Sequence, residues 1–120
     1  SIQSTSKILT ANGSQVSKIK HNSLDRIESV LMENPRRTVW YLADGVYSMY
    51  GDVAPLQALK SLMTKYANLC LYIDDAHGFG CFGKHGRGYA MEILSPLTDR
   101  TIVVASLSKS FAAGGGIAMF

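Results

Sequence analysis

Apolar positions recur along the chain with two different periods, and their alternation sets the expected architecture. Residues 15–20, Gln-Val-Ser-Lys-Ile-Lys, alternate polar and apolar, which predicts a half-buried strand. Asn22-Ser23 then offer a helix N-cap before Leu24, Ile27, Val30 and Leu31, a stripe at helical spacing that ends near Asn34-Pro35. Residues 38–42 form a short β-branched and aromatic run, the pattern of a strand buried on both faces. Residues 45–51 read as loop. Pro55 suits the first turn of a helix that carries Leu56, Leu59, Leu62 and Met63. A second buried strand is expected at residues 69–73. Beyond a glycine-rich stretch, a shorter helix is predicted over 89–94, closed by Ser95-Pro96, and then a strand over 101–105. Residues 106–115 read as loop with room for one helical turn, and 116–120 begin another strand.

Strands separated by helices imply an α/β fold with a largely parallel sheet and helices on its faces. In such sheets ligands gather at the carboxyl ends of the strands. Three predicted strand ends carry polar groups: Asp44, Asp74-Asp75 and Ser106. All three are expected along one edge, so the architecture places a site before any motif is considered.

With 120 residues the chain is the size of one domain. Its net charge of +3 is dispersed, and no aromatic residues interleave with the Arg36-Arg37 or Lys18 and Lys20 groupings, which argues against a nucleic-acid surface. No window reaches the ~18 consecutive apolar residues of a membrane helix, and the first residues lack the order of a signal peptide. Cys70 and Cys81, without such a signal, fit a reducing, cytoplasmic setting and no disulfide framework. The chain opens without Met and stops inside an apolar run, so both ends are expected to continue into a longer protein.

The stretch 71–88 satisfies three incompatible motifs. Gly78, Gly80 and Gly83 spell the dinucleotide pattern G-x-G-x-x-G, but Asp74-Asp75-Ala76-His77 stand where the pyrophosphate would approach. The near P-loop fails because Lys84 is followed by His85 rather than Ser or Thr. Asp74, Asp75 and His77 could ligate a metal, yet successive strand-end residues point different ways and no second cluster completes a shell. Downstream, Ser106-Leu107-Ser108-Lys109 fits the S-x-x-K of serine–lysine acyl enzymes, without their S-D-N and K-T-G elements.

What remains is a carboxylate and a histidine after one strand and a lysine after the next. Pyridoxal 5'-phosphate (PLP) needs that set: an amine for its imine and a carboxylate that keeps the ring nitrogen protonated. The run Gly45-Val46-Tyr47-Ser48-Met49-Tyr50-Gly51-Asp52-Val53-Ala54-Pro55-Leu56 resembles the loop and helix start of the α-oxoamine synthases, PLP enzymes of the aspartate-aminotransferase fold. Lys65-Tyr66, Ile73-Asp74-Asp75-Ala76-His77-Gly78, Gly86-Arg87-Gly88 and Ser106-Leu107-Ser108-Lys109-Ser110-Phe111 continue the resemblance in order, and His21-Asn22 precedes it. It runs over nearly the whole chain.

The resemblance implies a three-layer αβα sandwich with a mainly parallel sheet, of which residues 1–120 are the central part of the large domain. An upstream phosphate loop, a substrate-binding arginine and a C-terminal small domain are expected outside the chain. It implies Lys109 as the Schiff-base lysine, Asp74 on the pyridine nitrogen, His77 and Ser48 near the phenolic oxygen, and Ser106 on the phosphate. Asp75, Gly78, Gly80 and Arg87 match by position and are assigned structural roles. The implied reaction condenses an amino acid with an acyl-CoA thioester to an aminoketone, in a cytoplasmic homodimer without metal. Two features depart from the family: Tyr50 replaces a common aspartate, and Ser1-Ile2 resembles the tail of a His-Ala-Ser-Ile stretch whose histidine would precede residue 1. An aminotransferase of the same fold, a non-catalytic truncated domain and, more remotely, a serine–lysine acyl enzyme stay open as alternatives.

Overall fold

The computed structural model describes residues 2–120; Ser1, the first half of the Ser1-Ile2 match, lies outside the described residues. In chain order the elements are α1 (Ile2–Ala11), α2 (Leu24–Glu33), β1 (Val39–Asp44), β2 (Val46–Tyr47), β3 (Asp52–Val53), α3 (Leu56–Lys65), β4 (Leu69–Asp74), α4 (Tyr89–Leu94), β5 (Thr101–Ser106), α5 (Leu107–Ser110) and β6 (Gly116–Met119). A single 3-10 turn, Lys84–Gly86, precedes α4. The main sheet has the order β1-β4-β5-β6, with β1, β4 and β5 parallel and β6 antiparallel at one edge.

The apolar stripes of the helices explain the core. Ile27 and Leu31 of α2, Leu56, Leu59 and Met63 of α3, and Ala90 and Leu94 of α4 are buried against Ala43, Leu69, Leu71, Ile73 and Val103 of the sheet. These strand residues alternate, so they share one face. The other face carries Tyr72, Asp74, Val104 and Ser106, all half-buried, and α1 lies along β1 on that side, bringing Thr5 to it. The layers are therefore α2–α4, sheet and α1.

Three expectations need correction. The strand over residues 38–42 is not buried on both faces: β1 lies at the sheet edge, and Trp40 is 42% exposed. Residues 15–20 form no strand: the alternation is present, but only Ile19 packs on the core and the segment pairs with no neighbouring strand, so nothing rewards an extended ladder. Residues 45–51 are not plain loop, because Val46 and Tyr47 pair with Val53 and Asp52 in a small hairpin. Helix α1 was not anticipated, since its stripe buries no residue.

Arg100 locks the helical layer to the sheet. Its guanidinium lies 3.1–3.2 Å from the carbonyls of Met63, Tyr66, Ala67 and Leu69, the last turn of α3 and the start of β4. Met63 is among the carbonyls that a helix C-terminus leaves unpaired, and the others belong to the link into β4 and its first residue. Arg100→Ala should lower stability by about 2 kcal/mol, because charge-assisted bonds are lost and carbonyls are left bare. Urea denaturation checks this, and an unchanged midpoint would show that the guanidinium is dispensable.

Candidate active site

The parallel register ends three strands together. Asp44 is the Cα partner of Asp74, and Asp74 is the partner of Val104, two residues before Ser106. At this edge opens a concavity of about 370 Å3 lined by Thr5, Asp44, Tyr72, Asp74, Ala76, His77, Val104, Ala105, Ser106 and Lys109. Four of the five residues implied by the resemblance, Asp74, His77, Ser106 and Lys109, thus meet in one place. The fifth, Ser48, sits exposed in the turn between β2 and β3 and does not line the concavity.

Local structure aims each side chain. Asp74 ends β4 on the open face, and its Oδ1 accepts the Ala76 amide at 3.2 Å. The backbone then turns sharply: the Gly78 and Phe79 amides both donate to the Asp75 carbonyl, at 3.0 and 2.8 Å, which brings His77 back over the strand end. Ser106 caps α5, its Oγ accepting the Ser108 amide at 3.2 Å. One helical turn from that cap carries Lys109 to the His77 ring, where Nζ meets Nε2. The Ser110 hydroxyl donates to the Phe79 carbonyl at 2.6 Å, and the Phe79 and Phe111 rings lie 5.7 Å apart. The histidine turn and the lysine turn therefore clasp one another.

Asp74 and Asp75 face opposite ways. Asp75 is 1% exposed; its amide donates to the Val104 carbonyl at 2.7 Å and its Oδ2 accepts the Ala90 amide at 2.8 Å. Among the described residues its Oδ1 has no hydrogen-bond partner. A Cβ on Gly45, Gly78 or Gly88 would stand 2.4, 2.2 or 2.5 Å from one of its carboxylate oxygens, so only glycine fits these positions. Burial pushes the Asp75 carboxyl up to about 6; the Ala90 amide opposes this, and the Asp74 charge adds to it. The structural role expected for Asp75 and Gly78 has this basis.

The glycine-rich stretch is no phosphate cradle. The amides of Gly78, Phe79, Gly80, Cys81, Phe82 and Gly88 all donate to carbonyls of residues 75–86, and α4 starts only at Tyr89. Gly80 donates to the Gly86 carbonyl within the loop, and Arg87 Nε meets Glu92 Oε2 at 2.7 Å, tying the loop to α4. A larger groove of about 600 Å3 opens at the opposite edge, beside Arg36, Arg37 and Asn68, away from these groups.

Tyr72, Thr5 and Asp44 also line the concavity and were not singled out as site residues. Tyr72 stands two residues before Asp74 and so on its face, a signal that was available. Asp44 was visible only as a strand end, and Thr5 carried no signal. Burial first, and then the Asp74 charge, raise the Asp44 carboxyl, while His77 and Lys109 oppose the rise.

A family model described as aminotransferase class I and II matches residues 3–120. The 8-amino-7-oxononanoate synthase of Methylobacillus flagellatus is 41% identical over 101 residues, which is 84% of this chain and 25% of that protein. The structure of serine palmitoyltransferase from Sphingomonas wittichii superposes with a TM-score of 0.74 at 34% identity, over 88% of this chain and 26% of that one. A high-resolution structure of SPT with PLP as its internal aldimine gives 0.74 at 30% identity, with the same coverage. The chain spans about a quarter of the length of the curated relatives it matches.

The raised Asp75 carboxyl makes stability depend on pH with a definite sign. The fold favours the protonated acid, so this contribution is complete below the ordinary value of 3.8 and is lost as pH rises through about 6. Urea midpoints should therefore fall more steeply across that window in the wild type than in Asp75→Asn, which stays neutral. Equal slopes would mean that Asp75 is charged in the fold at little cost.

Proposed function

The chain belongs to the family of class I and II aminotransferases, and on that premise we propose that it is the central part of the large domain of an α-oxoamine synthase. In this reading the whole protein is a PLP-dependent acyltransferase that condenses an amino acid with an acyl-CoA thioester to an aminoketone. The observation that carries it is the meeting of Asp74, His77 and Lys109 in one concavity at the strand edge. The phosphate loop, the substrate-binding arginine and the small domain belong to the rest of that protein. It works as a homodimer in a reducing cytoplasm, where Cys70 and Cys81, both free in the structure, stay thiols.

The donor set fits the cofactor. A carboxylate, an imidazole beside a lysine amine, and a hydroxyl at the start of a helical turn converge from three segments. Bound PLP supplies an electron sink for negative charge at the amino acid's α-carbon. With the cofactor bound, the Lys109 Nζ would be the amine that holds it, and the same nitrogen would be the base that moves the α-proton. Asp74 presents its carboxylate to the ring nitrogen as a charge-assisted pair. His77, packed on the Lys109 amine, orients ring and lysine together. The Ser106 hydroxyl, 2.7 Å from that of Ser108, would bind the phosphate. Ser48, exposed in the hairpin turn, is the one residue implied by the resemblance that lies outside this concavity.

The full-length protein should show a visible absorbance band with PLP and release free coenzyme A from an acyl thioester when given its amino acid. Lys109→Ala should abolish the covalent band and lower that release by at least about 10²-fold. A wild type that moves the amino group to a 2-oxo acid without consuming acyl thioester is an aminotransferase instead. Retention of the covalent band in Lys109→Ala would contradict the assignment of the lysine.

A further inference from the structure

The proposed chemistry uses one strand-end carboxylate, but the fold provides two. In the parallel pair β1–β4, Asp44 lies opposite Asp74, so the two side chains leave the sheet on the same face. Both line the concavity that holds His77 and Lys109. They reach it independently: Asp44 from β1, just before the Gly45 that packs on Asp75, and Asp74 from β4. Nothing in the roles given to Asp74, His77, Ser106 and Lys109 explains why a second acid stands there.

We propose that Asp44 is the second carboxylate of this site, forming with Asp74 one charge-sharing pair that balances the cationic groups of the loaded site. The inference rests on the PLP reading above. Two carboxylates on neighbouring strands repel unless positive charge lies between or beside them. The titratable groups around Asp44 include Asp74 from β4, His77 from the turn after it, Lys109 from α5 and the Tyr47 phenol from β2, and Tyr72 of β4 lines the same concavity. Burial first, and then the Asp74 charge, raise the proton affinity of Asp44, and His77 and Lys109 are among the groups that oppose the rise. A protonated heteroaromatic ring and a lysine-derived cation supply the missing positive charge. Removing either carboxylate weakens the hold on both cations. Asp44 needs no contact with the ring for this, since it acts through the shared field, and it is a positioning residue rather than a catalytic one.

Two measurements on the full-length protein test the pair. Without cofactor, the Asp44 carboxyl carbon is titrated by NMR in the wild type and in Asp74→Asn. The midpoint should lie above that of an ordinary aspartate and fall in the variant; an identical midpoint in both would overturn the pair, whatever the cofactor. With PLP, the visible band is titrated against pH in the wild type, Asp44→Asn and Asp44→Glu. Its midpoint should drop by about one unit in Asp44→Asn, with PLP affinity reduced roughly tenfold, and return in Asp44→Glu. A purely structural residue would change stability and leave both midpoints in place, which would overturn the inference. A wild type that binds no PLP sinks the functional reading, and the cofactor-free titration still decides the pair.

Discussion

The site depends on one buried carboxyl group. Asp75 has its backbone in the ladder with β5 and its side chain enclosed between Gly45, Gly78 and Gly88. Each of these glycines follows or adjoins a segment that matters: Gly45 comes after Asp44, Gly78 after His77, and Gly88 opens α4. One side chain therefore fixes the spacing of the strand end, the histidine turn and the helix behind them. A carboxyl in this enclosure gives up most of its hydration for backbone amides at the start of α4, Ala90 foremost, and burial still dominates its proton affinity. The packing leaves no room for adjustment, since any Cβ at the three glycines would collide with it.

That enclosure lets two adjacent acids do different work. The alternation of a strand sends Asp74 to the open face and Asp75 to the packed one. Asp74 joins Asp44, His77 and Lys109 in a shared electrostatic field, while Asp75 holds the backbone that presents them. The lysine turn is held in a separate way, by the Ser106 cap at its start and by Ser110 and Phe111 against Phe79 at its end. Rigid support from two sides is what a site needs if an amine is to be kept beside an imidazole in a concavity open to substrate.

Much of this was legible in the sequence, and the exceptions have physical causes. The strands β1, β4 and β5 and the helices α2, α3 and α4 announced themselves through their apolar runs and stripes, although β1 lies at the sheet edge with Trp40 exposed rather than buried on both faces. The alternation at residues 15–20 misled, because a period of two rewards a strand only where a neighbour offers a ladder. The hairpin around Ser48 is two pairs of residues long, below what a periodic signal can register. Helix α1 buries no residue, so its amphipathic pattern had nothing to report. Asp74, His77 and Lys109 stood out through the chemistry they share, and the fold brings them to one concavity. Asp44 was harder, because its partnership with Asp74 arises from strand register rather than from any spacing along the chain.

The central claim is that Lys109 is the residue that carries the cofactor. Borohydride reduction of the PLP-loaded full-length protein, followed by proteolysis and mass spectrometry, tests it most directly. The account predicts a reduced pyridoxyl group on the peptide containing Lys109 and on that lysine alone. A label on Lys84 or another lysine, with Lys109 unmodified in a protein that binds PLP, would contradict it.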